Sequence, residues 1–201
     1  ISLGAKPAAQ RRIAFVLSTY PGKSWQMAHA VGLDAIASAE ALLQDLGAAG
    51  YMVADGAALP EELAQDRVQW PLADYRAALT ALPAVLQTAL ADAWGPPEAD
   101  ADVADGAFAF AVARRGAQIV ALQPERGTPA RRAEEYHDLS QVPRHAYVAF
   151  YLWLRAQGID ALVHVGAHGT LEWLPGKAVA LSDACWPEAL VGPVPCIYPF
   201  I

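Results

Sequence analysis

The segment from Asp160 to Gly176 constrains the fold of this chain more than any other. It begins with the apolar run Asp160-Ala161-Leu162-Val163, which leads into the glycine-containing stretch HVGAHG. A short leucine-rich segment follows and is stopped by Pro175 and Gly176. This order predicts a buried strand that ends in a tight loop and enters a helical turn. In open α/β sheets, ligands bind at the carboxyl ends of such strands, so the loop is the expected functional region.

Two histidines and a carboxylate stand at spacings of four in this segment: His164, His168 and Glu172. Imidazole and carboxylate groups accept protons and ligate borderline divalent metals. His164 is either a ligand or a core residue that bonds to backbone at the strand end. His168 lies between Gly166 and Gly169, where the backbone must approach another group closely, and this favours a functional role.

Glu172 lies among Leu171, Trp173 and Leu174, and a carboxylate in apolar surroundings suits proton exchange near neutral pH. The alternative is a surface residue on an amphipathic turn. Thr170 is expected to cap the short helix and so to place Glu172 one turn from His168.

The remainder of the sequence predicts a single α/β domain over residues 1–201, with a mainly parallel sheet, flanking helices and a helical insertion at about 60–95. Residues 1–55 predict a βαβ-like start, made of a strand at Ile13–Leu17, a helix at Leu33–Leu46 stopped by Gly50, and a short strand at Tyr51–Val53. Residues 106–201 contain the predicted strands Phe108–Ala113 and Gln118–Leu122, for which a hairpin is one option, a long polar loop over 123–143, a helix at Arg144–Gln157, and the site segment.

Composition excludes several classes of function. Fourteen Lys and Arg against 21 Asp and Glu give a net charge of −7, which argues against nucleic-acid binding. No apolar run is long enough for a membrane span, and no secretory signal is visible at the start. The two cysteines suit a reducing cytoplasm. Both ends of the sequence look cut, so we expect an excised piece of a longer protein.

The tripeptide Gly22-Lys23-Ser24 invites comparison with a phosphate-binding loop, but Leu17 stands where that motif needs its first glycine. If ATP is used, we therefore expect another chain to hydrolyse it. His137 and His145 lie in and after the polar loop and are either solvated or a second set of site groups. Arg126 follows a predicted strand and is either solvated or a bidentate partner for a substrate carboxylate.

Several segments, in the same order along the chain, resemble the tetrapyrrole metal chelatases of the CobN/magnesium-chelatase H family. The most specific is HVGAHGTLEWLPGK at 164–177, and the others are Tyr20–Lys23, Ala30–Asp34, Gln123–Gly127, Tyr136–His145, Leu181–Glu188 and Leu190–Pro193. Trp173 and Leu174, with Ile197–Phe200, are more similar to the cobalt branch than to the magnesium branch.

The resemblance implies a domain of the large subunit, which binds the tetrapyrrole while AAA+-type ATPase partner subunits supply the energy. In the cobalt branch Co²⁺ is inserted into hydrogenobyrinic acid a,c-diamide, and in the magnesium branch Mg²⁺ is inserted into protoporphyrin IX. Glu172 is then the candidate proton acceptor, while His168 and His164 bring the metal or share the protons, and all three are candidate ligands of the transient Co²⁺. The candidates for substrate binding are His137, His145, Arg126 and Lys177. Two alternatives remain open: a docking module for the ATPase subunits and a zinc-dependent hydrolase.

Overall fold

The computed structural model describes residues 2–18, 29–30, 33–128, 138–166, 169–176 and 182–199. The helices are α1 (Ser2–Ala5), α2 (Ala35–Ala48), α3 (Leu59–Gln65), α4 (Leu72–Leu79), α5 (Ala84–Trp94), α6 (His145–Ala156) and α7 (Trp186–Val191). The strands are β1 (Ile13–Leu17), β2 (His29–Ala30), β3 (Leu33–Asp34), β4 (Arg67–Pro71), β5 (Val103–Ala104), β6 (Ala107–Arg115), β7 (Gln118–Leu122), β8 (Ala161–Val165) and β9 (Cys196–Ile197). Short 3₁₀ turns lie at Ala8–Gln10, Pro97–Ala99 and Leu171–Trp173.

One sheet dominates the described residues and has the strand order β4-β6-β7-β1-β8-β9, with β5 also paired to β6. The pairs from β7 through β1 and β8 to β9 are parallel, whereas β4, β5 and β7 pair with β6 in the antiparallel sense. The predicted α/β class is confirmed, but the sheet is parallel in one half and antiparallel in the other. The antiparallel half arises because β6 and β7 form a hairpin around Gly116, whose φ of +63° suits glycine.

The predicted strand at Tyr51–Val53 is wrong, and with it the βαβ-like start. Strands β7 and β8 occupy both sides of β1, so no position beside β1 remains. The 51–53 segment lies instead against the β6–β7 turn, where the carbonyl of Met52 accepts hydrogen bonds from Ala117 N (3.0 Å) and Gln118 Nε2 (3.0 Å).

The predicted helical insertion at about 60–95 is only partly correct. Helices α3, α4 and α5 lie there, but β4 interrupts them as an edge strand of the sheet. Trp70 is buried and lies opposite Phe108 of β6, and Val68 is half-buried on the same side. This period of two is that of a strand, and it escapes a search for helical spacing.

Alternation along β1 divides the core into two layers. Ala14 and Val16 face the layer formed with α4, α5, α6 and α7, whereas Phe15 faces the layer formed with α2 and α3. Helix α6 is buried continuously from His145 to Leu154, so it is the central helix of the first layer. In the described part of the chain, no helix has the length and apolar character needed to cross a membrane.

Candidate functional site

The candidate site lies where three adjacent parallel strands end, as the sequence predicts. Ser18, Gln123 and Gly166 directly follow β1, β7 and β8. The backbone stays paired beyond the strands, because Gln123 N donates to Leu17 O (3.0 Å) and Ser18 N donates to Val165 O (3.4 Å). The segment from Gly169 to Leu174 is attached to this edge of the sheet, because Gly169 O accepts a hydrogen bond from Gln123 Nε2 (2.8 Å).

Glu172 lies in the 3₁₀ turn Leu171–Trp173 and is half-buried. The hydroxyl of Tyr198 donates a hydrogen bond of 2.6 Å to Glu172 Oε2 and itself accepts one from the amide of Gly169. Burial, together with the neighbouring carboxylate of Glu172, holds the pKa of Tyr198 well above its usual range. Tyr198 is therefore a protonated phenol that acts as a donor to Glu172.

His164 belongs to the interior of β8 and is only 2% exposed. Its Nε2 lies 3.1 Å from the hydroxyl of Tyr151, and its ring centroid lies 5.0 Å from that of Tyr198. Burial lowers the pKa of His164 to about 3, so the imidazole is neutral at physiological pH. These contacts favour the alternative in which His164 supports the site from the core, and its direct role in metal or proton transfer stays a prediction.

The close packing around position 169 explains why the second glycine of the HVGAHG stretch is needed there. A Cβ at this position would lie 2.5 Å from His164 Nδ1 and 2.7 Å from His164 Cγ, and it would overlap the Tyr198 hydroxyl. Only glycine lets the chain pass between these two side chains. Gly166 is also tightly placed, because a Cβ there would come within 3.0 Å of Ser18 Oγ.

A polar network fixes Thr170, which does not cap the short turn. Thr170 has a left-handed backbone (φ +63°) and makes no side-chain capping bond, so the predicted cap is wrong. Its Oγ1 instead accepts a hydrogen bond from Gln123 Nε2 (2.7 Å) and lies 2.9 Å from the hydroxyl of Tyr147. Gln123 Nε2 also donates to Gly169 O (2.8 Å), which ties the loop to the end of β7.

The sequence reasoning missed four residues of this site: Gln123, Tyr147, Tyr151 and Tyr198. A signal existed for two of them, because Tyr147 and Tyr151 are four residues apart on a helix and therefore share a face. Tyr198 had no local signal as a partner of Glu172, because 26 residues separate the two.

Arg126 is buried, with 6% exposure, beneath the Glu172 turn. Its Nη1 donates to the backbone carbonyls of Trp173 (2.6 Å) and Asp138 (2.9 Å). Arg126 therefore joins the turn that contains Glu172 to the backbone at Asp138. Its predicted contact with a substrate carboxylate remains a prediction.

The described hydrogen bonds of His145 are to α4 and to the residue after α5, and not to the Glu172 turn. Its Nδ1 is 2.7 Å from the hydroxyl of Tyr75, and its Nε2 is 3.0 Å from the carbonyl of Gly95. Residues two apart on an α-helix point about 200° apart, so His145 faces away from Tyr147. Burial lowers the pKa of His145, which fits a neutral structural imidazole, and its assignment to substrate binding gains no support from these contacts.

His168, His137 and Lys177 lie outside the described residues, so the predicted convergence of His168 with Glu172 stays a prediction. Among the residues whose positions are described, no three His, Cys, Asp or Glu side chains form a group that could hold a metal ion. The described arrangement is the half-buried carboxylate of Glu172, which accepts a hydrogen bond from the phenol of Tyr198, whose ring in turn lies against the neutral imidazole of His164. A carboxylate positioned in this way is suited to accepting protons.

A family model described as CobN/Magnesium Chelatase matches residues 1–201. The chain is 45% identical over 213 residues to an aerobic cobaltochelatase subunit CobN of Sinorhizobium sp., and 42% identical over 217 residues to that of Pseudomonas aeruginosa. These matches cover 98% and 99% of this chain but only 17% of either relative. The H subunit of the magnesium chelatase of Rhodobacter capsulatus is 29% identical over 205 residues, which cover 94% of this chain and 17% of the relative.

A similar solved structure is the catalytic subunit of cobaltochelatase from Mycobacterium tuberculosis, with a TM-score of 0.81 and 36% identity. The match covers 96% of this chain and 18% of that one. The chain therefore spans less than a fifth of the length of these relatives.

Proposed function

Because this chain belongs to the CobN/magnesium chelatase family, we propose that it is part of the tetrapyrrole-binding catalytic subunit of an ATP-dependent cobaltochelatase. The reaction inserts Co²⁺ into hydrogenobyrinic acid a,c-diamide during aerobic cobalamin synthesis in the cytoplasm. ATP is hydrolysed by partner subunits of the AAA+ type. The preference for cobalt over magnesium rests on matches that cover nearly the whole chain, which have 45% and 42% identity to CobN subunits but 29% to the H subunit of a magnesium chelatase.

The observation that carries the proposal is the placement of Glu172. Glu172 lies in the turn that follows Gly169 and Thr170, which Gln123 at the end of β7 holds by hydrogen bonds, and the Tyr198 hydroxyl donates to Glu172 Oε2. Metal insertion must remove two protons from pyrrole nitrogens as the cation enters, so the site needs a group that accepts protons beside the macrocycle. We assign that role to Glu172, whose Oε2 accepts the hydrogen bond from Tyr198.

The other candidate site residues are assigned separate roles according to their positions. His168 follows the buried end of β8 in sequence and is proposed to bring the incoming Co²⁺, an ion that tolerates imidazole ligands. His164 is proposed to support the site indirectly, by packing against Gly169 and Tyr198, because its ring is enclosed by Tyr151 and Tyr198. Arg126, His137 and Lys177 are proposed to bind the polar groups of the tetrapyrrole.

The test is the substitution Glu172→Gln in the full-length subunit, assayed with its partner subunits. We expect metal insertion to be abolished while tetrapyrrole binding, followed by absorbance, stays nearly unchanged, because glutamine keeps the shape but accepts no proton. The matched control is Glu61→Gln, which removes the same charge from an exposed position on α3, in the opposite layer of the core. Normal turnover by the Glu172→Gln variant would contradict the proposed role.

The same titration separates the proposal from the docking-module alternative. A subunit whose role is confined to docking ATPase partners shows no saturable absorbance change with the tetrapyrrole. A subunit that binds the tetrapyrrole shows one, with or without Glu172.

A further inference from the structure

We propose that Tyr198 is a positioning residue for metal insertion, holding the carboxylate of Glu172 in its proton-accepting orientation. The inference rests on the proposed function, since it assigns to Tyr198 a role that acts through Glu172. It concerns the chain segment after β9, which local sequence patterns do not connect to the site.

A directed series of hydrogen bonds runs through the Tyr198 hydroxyl. The amide of Gly169 donates to the phenol oxygen, and the phenol proton is donated to Glu172 Oε2 at 2.6 Å. Each donor polarises the next, so the bond that reaches the carboxylate is stronger than an isolated phenol contact. Because the backbone amide can only donate, it fixes the direction of the series toward Glu172.

The position of Tyr198 is set by the sheet as well as by the site. Strand β9 pairs in parallel with β8, with Leu162 opposite Cys196 and Val163 opposite Ile197. Tyr198 follows β9 directly, and its ring lies against His164 of β8 at a centroid separation of 5.0 Å. Strand β8 carries the imidazole of His164, its pairing with β9 places the phenol of Tyr198 beside that ring, and the phenol in turn orients Glu172.

Without the Tyr198 hydroxyl, Glu172 Oε2 would lose this donor, and the carboxylate would lose the constraint that the hydrogen bond places on its orientation.

The decisive variant is Tyr198→Phe in the full-length subunit with its partner subunits, because phenylalanine retains the ring against His164 and removes the hydroxyl alone. We expect kcat for Co²⁺ insertion to fall about tenfold, the size of one hydrogen bond to a charged group, while KM for the tetrapyrrole changes little. The matched control is Tyr51→Phe, which removes a hydroxyl bonded to Arg11 in the other layer of the core and should leave both kcat and KM unchanged.

Three results decide the inference. An unchanged kcat in Tyr198→Phe, with Glu172→Gln inactive, would overturn the role of Tyr198 and leave the proposed function intact. Loss of tetrapyrrole binding in Tyr198→Phe, measured by absorbance titration, would also overturn it, because the residue would then be structural. An active Glu172→Gln variant would instead reject the proposed function itself.

Discussion

Replacing Gly169 by alanine tests the geometry of the site without any assay of activity. The added Cβ would lie 2.5 Å from His164 Nδ1 and would overlap the Tyr198 hydroxyl, distances that packed side chains do not show. His164 cannot turn away freely, because Tyr151 holds its other nitrogen at 3.1 Å and strand β8 is buried on both faces. Either the loop or Tyr198 must move, and overpacking of this kind costs about 1–3 kcal/mol of unfolding free energy.

The matched substitution is Gly47→Ala in α2, where the new Cβ would meet only Val53 Cβ at an ordinary 3.8 Å. Alanine is a better helix former than glycine, so this variant should be more stable by roughly 0.5–1 kcal/mol. The two variants make the same chemical change and have opposite expected signs.

Urea unfolding followed by tryptophan fluorescence measures both variants. With a slope of about 2 kcal/mol/M, the unfolding midpoint of Gly169→Ala should fall by roughly 0.5–1.5 M, and that of Gly47→Ala should rise. If Gly169→Ala unfolds at the same urea concentration as the parent, the close approach of Gly169 to His164 and Tyr198 is wrong.

Two further predictions concern buried charge. His164 is neutral when folded, with a pKa of about 3, and protonates near pH 6.5 when unfolded, so the unfolded chain binds the extra proton between these values and stability falls as the pH falls. His164→Gln should therefore flatten the pH dependence of unfolding by up to about 1.4 kcal/mol per pH unit between pH 6.5 and 3, and an unchanged slope would refute the assignment. Arg144 contacts Asp102 and lies 3.6 Å from the buried Asp100, so Arg144→Met should cost about 3–5 kcal/mol of unfolding free energy by leaving that carboxylate without its cation. Arg76→Met, which breaks an exposed pair with Glu98, should cost less than about 1 kcal/mol, and equal losses in the same unfolding assay would contradict this reasoning.

The sequence predicted several elements because their signals are local. The apolar run at Ile13–Leu17 and the strand before the HVGAHG stretch are both found. The helix predicted at Leu33–Leu46 is found at Ala35–Ala48, where the side chain of Asp34 caps it by accepting from Ala37 N at 2.9 Å. The family resemblance is confirmed as well, because the order and identity of its motifs are properties of the sequence itself.

Where the predictions failed, a distant partner decided the outcome. Tyr51–Val53 has the residues of a strand, but β7 and β8 already flank β1, so the segment bonds to the β6–β7 turn instead. Thr170 has the residue type of a cap, but Gln123 and Tyr147 engage its hydroxyl. Neither competition can be read from the residues on either side.

By itself, then, the sequence determined the α/β class, the position of the loop at the carboxyl ends of the strands, and the carboxylate that is the candidate proton acceptor. These follow from hydrophobic period, glycine placement and residue chemistry, all of which act over a few residues. Only the tertiary structure decided that Tyr198 would donate to Glu172, that His164 would lie enclosed behind Gly169, and that Arg126 would hold the turn from below. Such contacts join residues far apart in the chain, and they form only after strand pairing has selected which ends of the sheet meet.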